Sequence, residues 1–209
     1  MTTALCFDLD GTLVHRTESY DEVTRATLAD HGIDPDEALV GTARETFWRA
    51  LEAMEPDPFE QAMATVLEQS GEEGDPAAMV ETLREHAYAT TAVPDGARES
   101  LDSLGSGDDS LAVVTNGVTD WQVGKLEHHD LTDHFEAVVT SYEAGAHKPD
   151  SAPFDLLRER VPADEYVMVG DDYEADVEGA RAAGFVPIHY EHESEENGPD
   201  LWATIQALV

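Results

Sequence analysis

The densest chemistry in the chain lies near its start, in Leu5-Cys6-Phe7-Asp8-Leu9-Asp10-Gly11-Thr12-Leu13. A short apolar run, Ala4 to Phe7, ends in two acids two residues apart. The two-residue period of an extended backbone puts Asp8 and Asp10 on the same side, and Gly11 allows a sharp turn after them. Two carboxylates this close at the end of a buried strand repel, and a low-dielectric sheet beneath them strengthens the repulsion. A divalent cation, with one acid ionised and one protonated, offsets it. Asp and Gly are also ordinary turn residues, so this stretch alone leaves both readings open.

Three further groups belong with it. Leu111 to Val114 runs into Thr115-Asn116-Gly117, Tyr166 to Val169 runs into Gly170-Asp171-Asp172, and the loop beyond Ala137 to Val139 carries Lys148-Pro149-Asp150. Together they supply what metal-assisted phosphoryl transfer needs. Carboxylates are hard oxygen ligands for Mg²⁺, which keeps several waters and takes one or two carboxylates plus phosphate oxygen. An ammonium at Lys148 neutralises charge on the phosphoryl oxygens, while Thr115 and nearby N–H groups hydrogen-bond them. Lys125 and Lys148 are the only two lysines, which argues for a purpose at Lys148. Lys125, beside Val123 and Leu126 on a helical stretch, is assigned a surface or packing role.

The elements that must hold these groups fall into two patterns. Residues 15–92 read as four helices: Thr17 to His31, a second opening at Pro35, a third at Asp57-Pro58 and a fourth at Pro76. They form a helical module of ordinary small-domain size. From Val93 the pattern becomes repeated strand–helix units, which indicates a parallel sheet covered on both faces. The expected domains are therefore an α/β core, 1–14 with 93–209, and a helical insert over 15–92. A closing helix is expected at Leu201 to Leu208, after an acidic connector from Glu191 to Asp200. In such sheets ligands bind beyond the carboxyl ends of the strands at a switch point, where all four groups fall.

Composition narrows the partners. The 209 residues carry 46 Asp+Glu against 11 Lys+Arg, a formal net charge of −35. Nucleic acid and anionic membrane each need a basic footprint, so both are excluded as partners. The acids are dispersed along the whole chain, and their self-repulsion is relieved in molar salt, where the Debye length falls to about 3 Å. A cytoplasmic protein of a halophile is expected: no signal-like segment precedes the first strand and no apolar run approaches a membrane span. The single cysteine, Cys6, lies in the first strand and reads as a small core residue.

Taken in order, Asp8-Leu9-Asp10-Gly11-Thr12, Val113-Val114-Thr115-Asn116-Gly117, Lys148-Pro149-Asp150 and Gly170-Asp171-Asp172-Tyr173-Glu174-Ala175-Asp176 resemble the four motifs of the haloacid dehalogenase (HAD) superfamily. The helical insert resembles its C1-type α-helical cap, so the likeness spans the chain. It implies a Rossmann-like core and a Mg²⁺-dependent phosphatase. Asp8 would be the nucleophile forming an aspartyl-phosphate, and Asp10 the acid and base. Thr115, Asn116 and Lys148 would bind the phosphate. Asp8, the Asp10 main-chain carbonyl and Asp171 would hold Mg²⁺. Asp172 and Asp176 would stand just behind, with Asp176 ordering Lys148 or a metal-bound water. The presence of Asp10 favours phosphate esters over halide displacement, and a helical insert without lysine closes the Schiff-base route of phosphonatases. A mutase similar to β-phosphoglucomutase and a catalytically silent HAD-fold binding protein stay as alternatives. Thr115-Asn116-Gly117 with Gln122 and Lys125-Leu126 is similar to the nucleotidase and sugar-phosphate phosphatase branch. In the insert, Arg16, Trp48 and Arg49 are candidates for reading the rest of the substrate, against packing for Trp48 and a surface ion pair for Arg49. The expected partner is a small soluble phosphate ester, and the expected state a monomer or homodimer.

An anion approaching so negative a protein is repelled at long range, and salt screens that repulsion. The expected outcome is a kcat/KM that climbs with KCl into the molar range. A flat or falling profile, with circular dichroism unchanged, contradicts this reading.

Overall fold

A computed structural model describes residues 2–105, 107 and 109–190. In chain order the elements are β1 (Thr3–Phe7), β2 (His15–Arg16), α1 (Tyr20–Asp30), α2 (Glu37–Glu52), α3 (Pro58–Ser70), α4 (Pro76–Ala89), β3 (Thr91–Ala92), α5 (Ala97–Leu104) and β4 (Ser110–Thr115). There follow α6 (Thr119–His128), β5 (Ala137–Thr140), α7 (Ser141–Ala144), α8 (Ala152–Arg160), β6 (Glu165–Gly170), a π-helical turn (Tyr173–Glu178), α9 (Gly179–Ala182) and β7 (Val186–His189). The expected connector from Glu191 and the closing helix lie outside the described residues. Two compact units emerge: Arg16–Thr91, and the described residues on either side of it.

The α/β unit is built on five parallel strands in the order β5-β4-β1-β6-β7. Strand alternation sorts its side chains into two cores. Leu5, Phe7, Leu111, Val113 and Val169 face one side and pack with Leu101 and Leu104 of α5 and Leu126 of α6. Ala4, Cys6, Ala112, Val114 and Met168 face the other and pack with Phe154 and Leu157 of α8 and Ala180 of α9. Burial on both faces is why these strands read as continuous apolar runs. Cys6 belongs to the second core, and burial pushes its thiol well above the ordinary range. It is an inert packing residue.

Register decides what meets at the carboxyl edge. Phe7, the last residue of β1, pairs with Val113 of β4 and Val169 of β6, and those strands run on only to Thr115 and Gly170, so the three central strands end close together. From β1 the chain steps outward to β4 and β5, then returns to β6 on the other side. Such a reversal is where an open α/β sheet leaves a crevice.

The helical unit is α1 to α4, with Val23, Leu28, Val40, Met63, Val66, Met79 and Leu83 buried. Its helix starts were written locally. Ser19 and Glu22 form a reciprocal capping box, and Asp36 and Asp75 cap α2 and α4. Among the described residues no helix is long and apolar enough to cross a membrane. Three short features were not expected: β2 and β3 pair as a two-stranded sheet at the ends of a segment read as helical throughout, α7 lies where only a loop was expected, and the helix after β6 opens with a π-turn.

Candidate active site

Each strand end delivers its group. Asp8 follows β1 directly, and its N–H donates to the Val169 carbonyl at 2.8 Å, tying it to β6. The chain then folds back on itself: the Gly11 N–H donates to the Val14 carbonyl and the Leu13 N–H to the Leu9 carbonyl. Gly11 sits at φ +93°, and a Cβ there would lie 2.3 Å from Asp171 Oδ2. Only glycine permits both the turn and the approach of Asp171. Thr12, fully buried, donates its hydroxyl to Asp171 Oδ1 at 3.3 Å.

Lys148 is the hub. It is 4% exposed, and its three ammonium protons have three acceptors: Asp8 Oδ1 at 2.8 Å, the Val114 carbonyl at 2.7 Å and Asp176 Oδ1 at 2.5 Å. Burial opposes its charge, but Asp8 and Asp176 outweigh burial and raise it above the ordinary lysine value. Burial pushes the Asp8 carboxyl the other way from its usual range, up to about 7, with Lys148 pulling down and Asp176 and Asp10 pushing up. Asp171, on the open side, is also raised, first by partial burial of its carboxylate.

These acids fit a hard divalent cation. Carboxylate oxygens of Asp8, Asp171 and Asp176 lie within 4.8 Å of one another, against one ammonium. Asp176 has both oxygens engaged, one by Lys148 and one by the Asp172 N–H at 3.2 Å. The free oxygen of Asp8 and the carboxylate of Asp171 are what is left for a metal, and oxygen donors suit Mg²⁺. The excess negative charge is the kind a dication compensates.

Two side chains differ from expectation. Asn116 was expected at the phosphate, but its amide clamps Lys148 from behind: Nδ2 donates to the Lys148 carbonyl at 3.0 Å and Oδ1 accepts from the Lys148 N–H at 2.8 Å. It aims the lysine loop. Asp172, expected just behind the ligands, bonds Asp176 through its N–H and caps the π-turn, accepting from the Ala175 N–H at 2.9 Å. Lys125 was assigned to surface or packing, yet it is buried and its ammonium lies 2.6 and 2.7 Å from the two Asp10 oxygens. Gln122, one turn earlier on α6, donates to Asp10 Oδ2 at 2.9 Å and to the buried Thr115 hydroxyl at 2.8 Å. Lysine scarcity was the available signal for Lys125. It was applied to Lys148 alone because Lys125 lies among apolar neighbours rather than at a strand end.

The insert candidates separate too. Within the helical unit a cavity of about 240 Å³ is lined by Arg16, Tyr20, Arg44, Phe47 and Trp48 among others. The Arg16 guanidinium lies 4.9 Å from the Tyr20 ring centre. Trp48 is 51% exposed, so it is not core. Arg49 is outside the cavity lining and pairs with Glu55 at 3.3 Å, the surface pair weighed against a substrate role.

A profile of haloacid dehalogenase-like hydrolases matches residues 2–184. The ribulose-1,5-bisphosphate 5-phosphatase of Halopiger xanaduensis is 41% identical over 110 residues, 52% of this chain and 46% of that protein, so the match spans less than half of that relative. The phosphoglycolate phosphatase of Rhodospirillum rubrum is 31% identical over 191 residues, 90% of this chain and 78% of that one. Among solved structures, the HAD-hydrolase YfnB of Bacillus subtilis, bound to magnesium, has a TM-score of 0.72 at 22% identity, covering 98% of this chain and 97% of its own. That last likeness is one of fold.

Because Asp8 has its folded value raised from 3.8 to about 7, its contribution to stability in the cation-free protein is intact below 3.8 and lost as the pH rises through 7. Asp8→Asn keeps an acceptor for Lys148 and removes that loss. In chelator and molar KCl the variant is expected to melt higher than the parent at pH 8, by an amount on the order of a few kcal/mol, with the gap narrowing towards pH 5. Saturating Mg²⁺ is expected to close it. Melting curves showing no gap at pH 8 contradict the charge imbalance.

Proposed function

The chain belongs to the haloacid dehalogenase-like hydrolase family, and from that membership we propose that it is a divalent-metal-dependent phosphatase of small phosphorylated metabolites working through an aspartyl-phosphate. The observation that carries this reading is the convergence of Asp8, Lys148, Asp171 and Asp176 beyond the carboxyl ends of β1, β4 and β6. It is supported by relatives whose names specify phosphatases of a sugar bisphosphate and of phosphoglycolate.

In this reading, an Asp8 carboxylate oxygen attacks phosphorus while the ester P–O bond breaks, and Asp10 gives a proton to the departing alkoxide. Water then attacks the phosphorus of the acyl phosphate, Asp10 takes its proton, and the P–O bond to Asp8 breaks to release inorganic phosphate. Lys148 and the Thr115 hydroxyl bind the phosphoryl oxygens throughout. Thr115 is suited to this because its oxygen already accepts from Gln122, leaving its own proton to donate. Mg²⁺, held by Asp8, the Asp10 main-chain carbonyl and Asp171, would supply charge neutralisation of the phosphoryl group when bound. Asp176 holds Lys148 in place.

The helical unit stands in the chain where the family's cap is inserted, and Arg16 and Trp48, which line its cavity, are its candidates for recognising the non-phosphate part of the substrate. The net charge of −35 supports a protein at work in molar salt in the cytoplasm, with neither nucleic acid nor membrane as partner, as a monomer or homodimer.

A panel of sugar phosphates, phosphoglycolate, nucleoside monophosphates and p-nitrophenyl phosphate, assayed in molar KCl with Mg²⁺, is expected to show phosphate release for a subset. Chelation is expected to abolish it, and Asp8→Asn to lower it by at least about 10³-fold. Turnover that survives Asp8→Asn in pure protein removes Asp8 as the nucleophile, and silence towards every ester with metal bound favours a binding protein of the same fold.

A further inference from the structure

We propose that Lys125 and Gln122 are positioning residues that fix the Asp10 carboxylate for proton transfer at the leaving-group oxygen, an assignment that rests on the phosphatase reading above. The three side chains bond one another directly. The Lys125 ammonium donates to both Asp10 oxygens, at 2.6 and 2.7 Å, and to Gln122 Oε1 at 2.8 Å, which uses its three protons. Gln122 Nε2 lies 2.9 Å from Asp10 Oδ2, 2.8 Å from the Thr115 hydroxyl and 3.2 Å from the Asn116 carbonyl. One amide thus sets the distance between the proton-transfer acid and a phosphate-binding hydroxyl.

The surroundings are shaped for it. Gln122 and Lys125 are three residues apart on α6, so they share a face, and they are 2% and 3% exposed. Gly117 leaves the room: at φ +149°, a Cβ there would lie 2.9 Å from Gln122 Cδ. Burying an ammonium is weak support for stability, because desolvation consumes most of the gain. Both lysines of the chain are nevertheless buried, one on each acid of the first motif. Lys148 serves the nucleophile, and Lys125 serves its neighbour.

A clamp on the proton donor has a signature that a packing role lacks. Phenyl phosphate leaves as a basic phenoxide that needs a proton, whereas 2,4-dinitrophenyl phosphate has the same ring and leaves without one. In molar KCl with Mg²⁺, Lys125→Met is expected to lower kcat/KM for phenyl phosphate by about 10²-fold or more and for 2,4-dinitrophenyl phosphate by less than about threefold. Gln122→Met, the milder change, is expected to show the same selectivity at about tenfold. In an Asp10→Asn background, Lys125→Met is expected to cause no further loss with phenyl phosphate. Equal losses for both esters, or additive losses with Asp10→Asn, overturn the clamp while leaving the phosphatase reading intact. A wild-type chain that hydrolyses neither of these esters nor any ester of the panel above overturns both together.

Discussion

Negative charge has to be balanced where three strands end side by side. Asp8, Asp10, Asp171 and Asp176 are brought to one edge of a sheet in a chain whose net charge is already −35. Two ammonium groups stand against them, each bonded to one of the first two acids, and both are nearly fully buried. Repulsion between carboxylates two residues apart is thereby divided into two separate ion pairs. The remaining excess, centred on Asp8 and Asp171, is what makes the cluster suited to a dication.

The rest of the α/β unit holds those charges in register. Hydrogen-bonded pairing of β1 with β4 and β6 brings the strand ends close together, and alternation on β1 feeds Leu5 and Phe7 to one core and Ala4 and Cys6 to the other. A one-residue slip of β1 would exchange the faces and carry Asp8 away from Lys148. The same packing that buries the strands therefore sets the electrostatics beyond them. Backbone groups join in, since the Val114 carbonyl completes the coordination of Lys148 and the Lys148 peptide is gripped by Asn116.

Much of this was legible from residue type and spacing. The strands were apolar runs of the right length, three helices of the insert opened at or near a Pro, and the chemistry-bearing groups followed the strands as the switch-point rule requires. The misreadings share one cause. Asn116 was judged by its place beside Thr115, and Lys125 by its apolar neighbours along the helix. In each case the partner that decides the role is distant in the chain: Lys148 is 32 residues from Asn116, and Asp10 is 115 from Lys125.

Local order was enough to establish an α/β chain with a helical insert, four groups of polar residues at strand ends or in the loops beyond them, and a strongly acidic composition. These follow from periodicity, capping and composition, which act over a few residues or over the whole chain at once. Folding in three dimensions decided which charges touch. Hydrogen bonds reach about 3 Å, and only packing brings α6 against the first turn and places Lys125 rather than solvent on Asp10. Pairing of that kind leaves no periodic trace in a sequence, and it assigned a second lysine to the site.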